Sequence, residues 1–335
     1  MTIIYALIMF CILVLVHEGG HFIAAKAVGV KVNEFAIGMG PLLWKKQKGE
    51  TQYSIRLFPI GGFCAMEGED EDSEDARAFG NQPAWARALI LVAGSFMNLV
   101  LAVVVLAGIA LYIGTPTTTI SEFSEVSPAR EAGLLPGDKI IAIENQGIQE
   151  WNDVSWAIGL SEDDIINVVV ERNGEEAKDV DIQAIKEEGT GRTIIGIMPE
   201  VTHNPFTAAS SGVKATGAMA VEMYHVLKQL VTGEVSADAL TGPIGITVVV
   251  SDTVKYGFIY VANLAALISL NLAIMNMLPF PALDGGRLLF LIIRKITGKA
   301  ITDEIEAKFH FVGIMLLFAL MIYVTWQDIG RFILN

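Results

Sequence analysis

The sequence predicts a polytopic α-helical membrane protein with four transmembrane helices, a membrane-associated β-hairpin sheet and one extracytoplasmic α+β domain. Three observations carry this. The 335 residues are 53% hydrophobic and 18% charged, with a mean hydropathy of +0.51, whereas soluble domains are about 25% charged. Four nearly uncharged stretches reach the ~20 residues that span a bilayer. The net charge of −14 is also concentrated in one place. Residues 115–255 hold 22 Asp+Glu and 9 Lys+Arg, a net of −13, which leaves −1 for the rest. The same figures exclude a disordered chain. An acidic balance speaks against a nucleic-acid partner, which needs a basic face. Cys11 and Cys64, the only cysteines, cannot build a disulfide framework.

The four spans are expected at residues 3–25, 88–114, 256–283 and 309–327. The first has no basic segment ahead of it and stays apolar beyond its ionisable cluster, so it reads as a retained span rather than a cleaved signal. Basic loops remain cytoplasmic. Residues 26–87 carry eight Lys and Arg, and the loop before the fourth span carries Arg287, Arg294, Lys295, Lys299 and Lys308. Two intervening spans place both loops on one side, so both termini and the acidic block are expected outside.

Between the first two spans, residues 32–66 read as strands. One run ends in Gly38, Gly40 and Pro41; another alternates from Tyr53 to Phe58 before Pro59, Gly61 and Gly62. Strand edges are not tolerated against lipid, so this hairpin sheet must be shielded or line a wet cavity. A free edge there can take up an extended peptide. The acidic run 67–75 reads as a solvated loop. Domain boundaries are expected at 1–114, 115–200, 201–255 and 256–335. Within 115–200 a short helix, a Pro136-Gly137-Asp138 turn, a buried strand and an Asn145-Gln146-Gly147 turn precede a helix at 151–160. A hairpin turning at Asn173-Gly174 follows. Residues 206–231 suit a helix lying on the outer membrane surface.

The chemistry begins at His17-Glu18-Gly19-Gly20-His21 in the first span. Helical residues four apart share a face, so both imidazoles point at one place, while Glu18 can reach a water there without being a ligand. That pattern suits Zn²⁺, which binds imidazole nitrogen and keeps a position open for a water that it acidifies; Glu18 then takes the proton. The alternative is a set of satisfied polar residues inside a helical bundle, but ionisable groups at membrane depth are costly. Among possible third ligands, His203, His225 and His310 have no partner at short spacing. Asp284, at the end of the third span after Pro279 and Pro281 and before Gly285 and Gly286, is the better candidate. Taken alone it could equally be an ordinary helix-end Asp. A scaffold and a metal-ion transporter remain the competing classes. A scaffold has no need of the full His17, Glu18, His21 and Asp284 set. A transporter would show further ligands along a path, and spans two and four offer only Asn98 and His310.

With these residues in place, the chain resembles the site-2 protease family, and in particular its bacterial members with a single PDZ domain. The likeness is carried by the pentad, by Leu283-Asp284-Gly285 with Asn276 upstream, and by four further segments. These are Phe-x-Ile-Gly-x-Gly-Pro at 35–41, Pro-x-Gly-Gly-Phe at 59–63, Gly-x-x-x-Asn at 94–98 and Gly-Pro-Ile-Gly at 242–245. The resemblance implies an intramembrane zinc endopeptidase with His17, His21 and Asp284 on Zn²⁺ and Glu18 as base. Its substrates would be single-pass membrane proteins pre-cleaved by another protease, such as an anti-sigma factor, and signal-peptide remnants. It further implies that Asn276, Pro279 and Pro281 help bind substrate, and that the hairpin with Phe35, Gly38, Gly40 and Tyr53 is the platform for an unwound peptide. The 115–200 domain would then be a PDZ domain that filters substrates by size or binds a tail. Gly94 and Asn98 could be a packing face or neighbours of the site.

Overall fold

The computed structural model describes residues 2–69, 73–161, 164–172, 174, 178–187, 191–235, 241–298 and 303–332. The chain forms two units: residues 1–109 with 212–335, and residues 110–211.

The first unit starts with α1 (Thr2–Ala27), whose charged residues and histidines are those of the pentad and Lys26 in its last turn. Two long strands follow, β1 (Val32–Lys48) and β2 (Thr51–Met66), which pair antiparallel. Then comes α2 (Ala84–Ile113). Further along the chain lie α5 (Pro205–Thr232), α6 (Pro243–Tyr256), α7 (Phe258–Asn276), α8 (Asp284–Thr297) and α9 (Asp303–Phe332). Four helices are long and apolar enough to cross a membrane: Ile4–Ala27, Ala84–Ile113, Phe258–Asn276 and Ile305–Phe332.

The third span is shorter than expected. Its helix stops at Asn276, and a turn through residues 277–283 leads to Asp284, which opens α8 instead of closing α7. Pro279 and Pro281 have no N–H to donate and disfavour helix in the residue before each. Ala282 then reverses the chain at φ 76°.

Close helix packing depends on glycine at specific points. A Cβ on Gly20 would sit 2.3 Å from the Ala93 carbonyl oxygen, so α1 and α2 touch backbone to backbone. Of the pentad's two glycines only Gly20 is needed for this contact; around Gly19 there is open space. Helix α6, not foreseen within the 201–255 connector, packs Val250 against Ala6, Met9 and Leu13 of α1. Its first turn is held from α9: the buried Asp328 carboxylate accepts from the backbone N–H groups of Gly242 and Gly245 at 3.3 and 2.8 Å. That arrangement satisfies donors a helix start leaves open. The helix expected on the membrane surface is α5. Its Gly212, Ala215, Met219 and Met223 lie against α2 and α7, around Ala102, Leu106, Ala266 and Leu270, so only the opposite face meets lipid or water.

In the second unit, β3 (Thr115–Phe123), β4 (Lys139–Ile143), β5 (Gln146–Gly147), β6 (Ile165–Glu171), β7 (Lys178–Gln183) and β10 (Ile197–Thr202) make one antiparallel sheet. Its order is β10-β3-β4-β6-β7, with β5 on β4. The short β8 (Ile185–Lys186) and β9 (Thr193–Ile194) pair apart from it. A short helix, α3 (Pro128–Glu131), precedes β4, and alternation puts Ile166, Val168 and Val170 of β6 inside with Ile140, Ile143 and Ile182, beneath Val154 and Ile158 of α4 (Trp151–Leu160). The tight turn falls at Glu144 and Asn145, φ 46° and 62°, one residue earlier than expected; Gln146 and Gly147 are already strand. Residue 173 of the expected hairpin turn and residues 70–72 of the acidic run lie outside the described residues.

The Pro136-Gly137-Asp138 turn is anchored by its acid. Asp138 is buried, takes Arg172 Nε and Nη2 at 2.6 and 2.7 Å, and accepts from Leu135 N–H at 2.8 Å. Burial alone would raise its pKa, but the guanidinium and the amide hold it below the ordinary value. A depressed folded pKa means stability that is fully present above the ordinary value, about 3.9, and is lost as pH falls through the folded one. In the full chain, Asp138→Asn should raise amide exchange of β4 and β6 roughly ten- to a hundredfold at neutral pH. The protection lost by wild type in acid should be missing from the variant, and equal protection at both pH values would remove the role given to this pair.

Candidate metal centre

The site forms where α1, α2 and the start of α8 meet. His17 and His21 are both 7% exposed and present Nε2 atoms 3.2 Å apart. Asp284 Oδ2 lies 3.2 Å from the first and 3.4 Å from the second. One ligand atom from each of the three falls within 4.8 Å of the others.

The surroundings decide which nitrogen faces inward. His21 Nδ1–H donates to the Ile90 carbonyl of α2 at 2.8 Å, leaving its Nε2 lone pair for the centre. This is the usual way in which a backbone carbonyl sets the tautomer of a metal-binding histidine. Asn98, one turn beyond Gly94 on α2, lies 3.4 Å from His17 Nδ1. Its Oδ1 is buried and lacks a hydrogen-bond partner. Turning the amide over, a choice coordinates leave open, lets Oδ1 accept from His17 Nδ1–H and frees His17 Nε2 in the same way. Ser269 Oγ holds Asn98 by donating to its carbonyl at 2.8 Å.

Three acceptors thus converge, and Asp284 Oδ2 is buried without a hydrogen-bond partner among the described residues. Such a set fits a divalent cation with two imidazoles and one carboxylate, a combination zinc accepts. Gly94 makes room for it: a Cβ there would lie 2.3 Å from His21 Nε2 and 2.8 Å from His17 Cε1. The two readings open for Gly94 and Asn98 therefore merge, because the close packing and the site are one place.

Other expected residues divide. The Asn276 amide reaches the centre, with Nδ2 3.4 Å from His17 Nε2. Pro281 packs beneath Gly313 of α9, and Pro279 is exposed. Phe35 and Tyr53 stack with Phe22 of α1, at 5.1 and 6.0 Å between ring centroids. Gly38 and Gly40, at φ 83° and 84°, bring the chain close against Phe58.

The strand platform needs a correction. Phe35 is opposite both Tyr53 and Cys64, and Ala36 is opposite both Ser54 and Phe63. The segment 34–37 is therefore flanked on both sides and has no edge to offer. Residues 62–66 have no second ladder partner among the described residues, and Gly62 sits beside the site: a Cβ on it would be 3.8 Å from Glu18 Cγ. The Pro-x-Gly-Gly-Phe segment was the available signal for this edge, since a strand glycine marks close approach of backbone or ligand.

An ionisable triad with an adjacent carboxylate, set among helices apolar enough to cross a bilayer, defines the class as a membrane-embedded metalloprotease. Comparison with known proteins reaches the same class. The model of Peptidase family M50 matches residues 5–320. Similar proteins named as zinc metalloproteases occur in Clostridium acetobutylicum (39% identity over 98% of this chain and 97% of its own) and Fusobacterium nucleatum (33% over 99% of each). Another occurs in Staphylococcus aureus, at 31% identity over 99% of each chain. The chain belongs to peptidase family M50, the site-2 proteases, and is a multi-pass membrane zinc metalloprotease.

Proposed function

We propose that this protease cleaves single-pass membrane proteins within the bilayer, using His17, His21 and Asp284 as zinc ligands and Glu18 as the general base. The observation that carries the reading is the convergence of three acceptor atoms within 4.8 Å inside the apolar bundle. Bound zinc supplies a Lewis acid that acidifies water and polarises the scissile carbonyl. Glu18, adjacent to a ligand yet outside the triad, takes the water proton and passes it to the leaving amine. The Asn276 amide donates to the substrate carbonyl as it gains charge. Peptide bonds in a helix are hydrogen-bonded within their own segment, so substrate must unwind before attack. Pairing with the free edge of residues 62–66, beside Glu18, offsets the hydrogen bonds lost on unwinding.

Substrates of this kind include anti-sigma factors already trimmed by another protease and signal-peptide remnants. The basic loops at 26–87 and before α9 support a topology with both termini and residues 115–200 outside. That outer domain reads as a PDZ domain acting as a size filter. Deleting residues 116–200 should let the protease accept untrimmed ectodomains; unchanged size selectivity would remove the filter role.

The decisive experiment uses the full chain reconstituted with a tagged single-span reporter. Cleavage inside the reporter's span should stop on treatment with a zinc chelator and return on zinc addition. Cleavage that continues after chelation overturns the proposal.

A further inference from the structure

We propose that His310, on the fourth span, is a positioning residue for the metal centre, fastening the turn that presents Asp284 to His17 and His21. The inference rests on the metal-site reading above and adds a residue to it.

The turn between α7 and α8 has backbone hydrogen bonds of its own, from Phe280 N–H to Leu278 O at 2.7 Å and from Leu283 N–H to Phe280 O at 3.2 Å, but the Ala282 N–H finds its partner outside it. Pro279 and Pro281 donate no backbone hydrogen bond, and Ala282 sits at φ 76°, a region that residues with a Cβ seldom enter. Two contacts from α9 secure it. Gly313 lies so close that a Cβ would stand 2.5 Å from Pro281 Cβ and 2.6 Å from its carbonyl oxygen. One turn earlier on the same face, His310 Nδ1 accepts the Ala282 N–H at 2.9 Å. Asp284 is two residues further along the chain.

This geometry sets the imidazole. Nδ1 must carry the lone pair, so Nε2 carries the hydrogen, and Nε2 points at Glu306 Oε1, 3.6 Å away. Glu306 is itself paired with Arg294 at 2.6 Å. The Phe290 ring lies beside the imidazole, 6.1 Å between centroids. The Arg294–Glu306 pair thus lies close to His310, which holds the Ala282 amide and with it the Asp284 turn. An ionisable side chain within a span is costly to retain without such a task. Asparagine can place an acceptor near the position of Nδ1; glutamine places its amide nearer Nε2; phenylalanine fills the volume with no acceptor.

The test is zinc affinity of the full chain in nanodiscs, by competition with a chromophoric chelator, with the visible spectrum of the Co²⁺-loaded protein as a second readout. His310→Asn should stay within about threefold of wild type, while His310→Gln and His310→Phe should weaken binding about 10- to 100-fold, the range for lost outer partners of a ligand. The Co²⁺ spectrum should change in the latter two only. Wild-type affinity and spectrum in His310→Phe overturn the proposal. If that variant does not fold, equal affinity of the asparagine and glutamine variants overturns it. Absence of zinc binding by wild type, or its persistence in His21→Ala, is instead the failure of the metal-site reading.

Discussion

Glu18→Gln should leave one zinc per chain and lower cleavage of a single-span reporter by about 10³-fold, within the range that general bases contribute. The carboxylate and the amide have nearly the same shape, so α1 keeps its packing and the three ligand atoms stay where they are. Only proton uptake is lost. Glu18 does not belong to the triad of His17, His21 and Asp284, and for that reason metal content and turnover should separate. Its side chain faces Gly62 on the free strand edge, where an extended substrate would lie. The expected kinetic signature is a fall in kcat with little change in KM. Turnover close to wild type, or loss of zinc along with activity, would remove Glu18 from the role of base.

Gly94→Ala is the second large effect, and it acts through the metal. The added methyl would stand 2.3 Å from His21 Nε2 and 2.7 Å from its Cε1, as well as 2.8 Å from His17 Cε1. Neither imidazole can retreat without cost. His21 is tied to the Ile90 carbonyl and His17 lies against Asn98, so giving way breaks a hydrogen bond that aims a ligand. We expect zinc affinity to fall by about 100-fold or more and cleavage to follow it. Gly108→Ala, on the same helix but with no atom within 4 Å of the new methyl, should keep both. Retained zinc affinity in Gly94→Ala would show that the two helices separate easily at this point.

Much of this molecule is written locally. Four apolar runs are visible because each must match a bilayer thickness residue by residue. The His17–His21 pair is visible because both imidazoles lie on one helix, four residues apart, where geometry follows from spacing alone. The buried strand at 139–143 and the helix at 151–160 were legible for the same reason. Turn placement was less so: the shift from Asn145 to Glu144 and Asn145 is a one-residue matter settled by pairing of β4 with β5.

The rest depended on contacts between distant segments. The resemblance made the hairpin with Phe35 and Tyr53 the platform, but neither a motif nor a strand pattern can tell an inner strand from an edge. Only the doubling of β2 around β1 gives the edge to residues 62–66. His310 gave no signal by spacing, since its partner is a backbone amide 28 residues away. The glycine at position 94 matched a motif, yet its purpose emerged only when two imidazoles were found where its Cβ would be.

Composition and periodicity alone determined the membrane class, the number of apolar runs long enough to span and two of the three proposed ligands, because those properties reside in a single helix or a single stretch of chain. Tertiary structure decided which carboxylate lies against the two imidazoles, which strand edge lies beside Glu18 and which backbone groups orient the imidazoles. Those depend on side chains meeting across helices far apart in sequence, and no local pattern encodes a distance between separate segments.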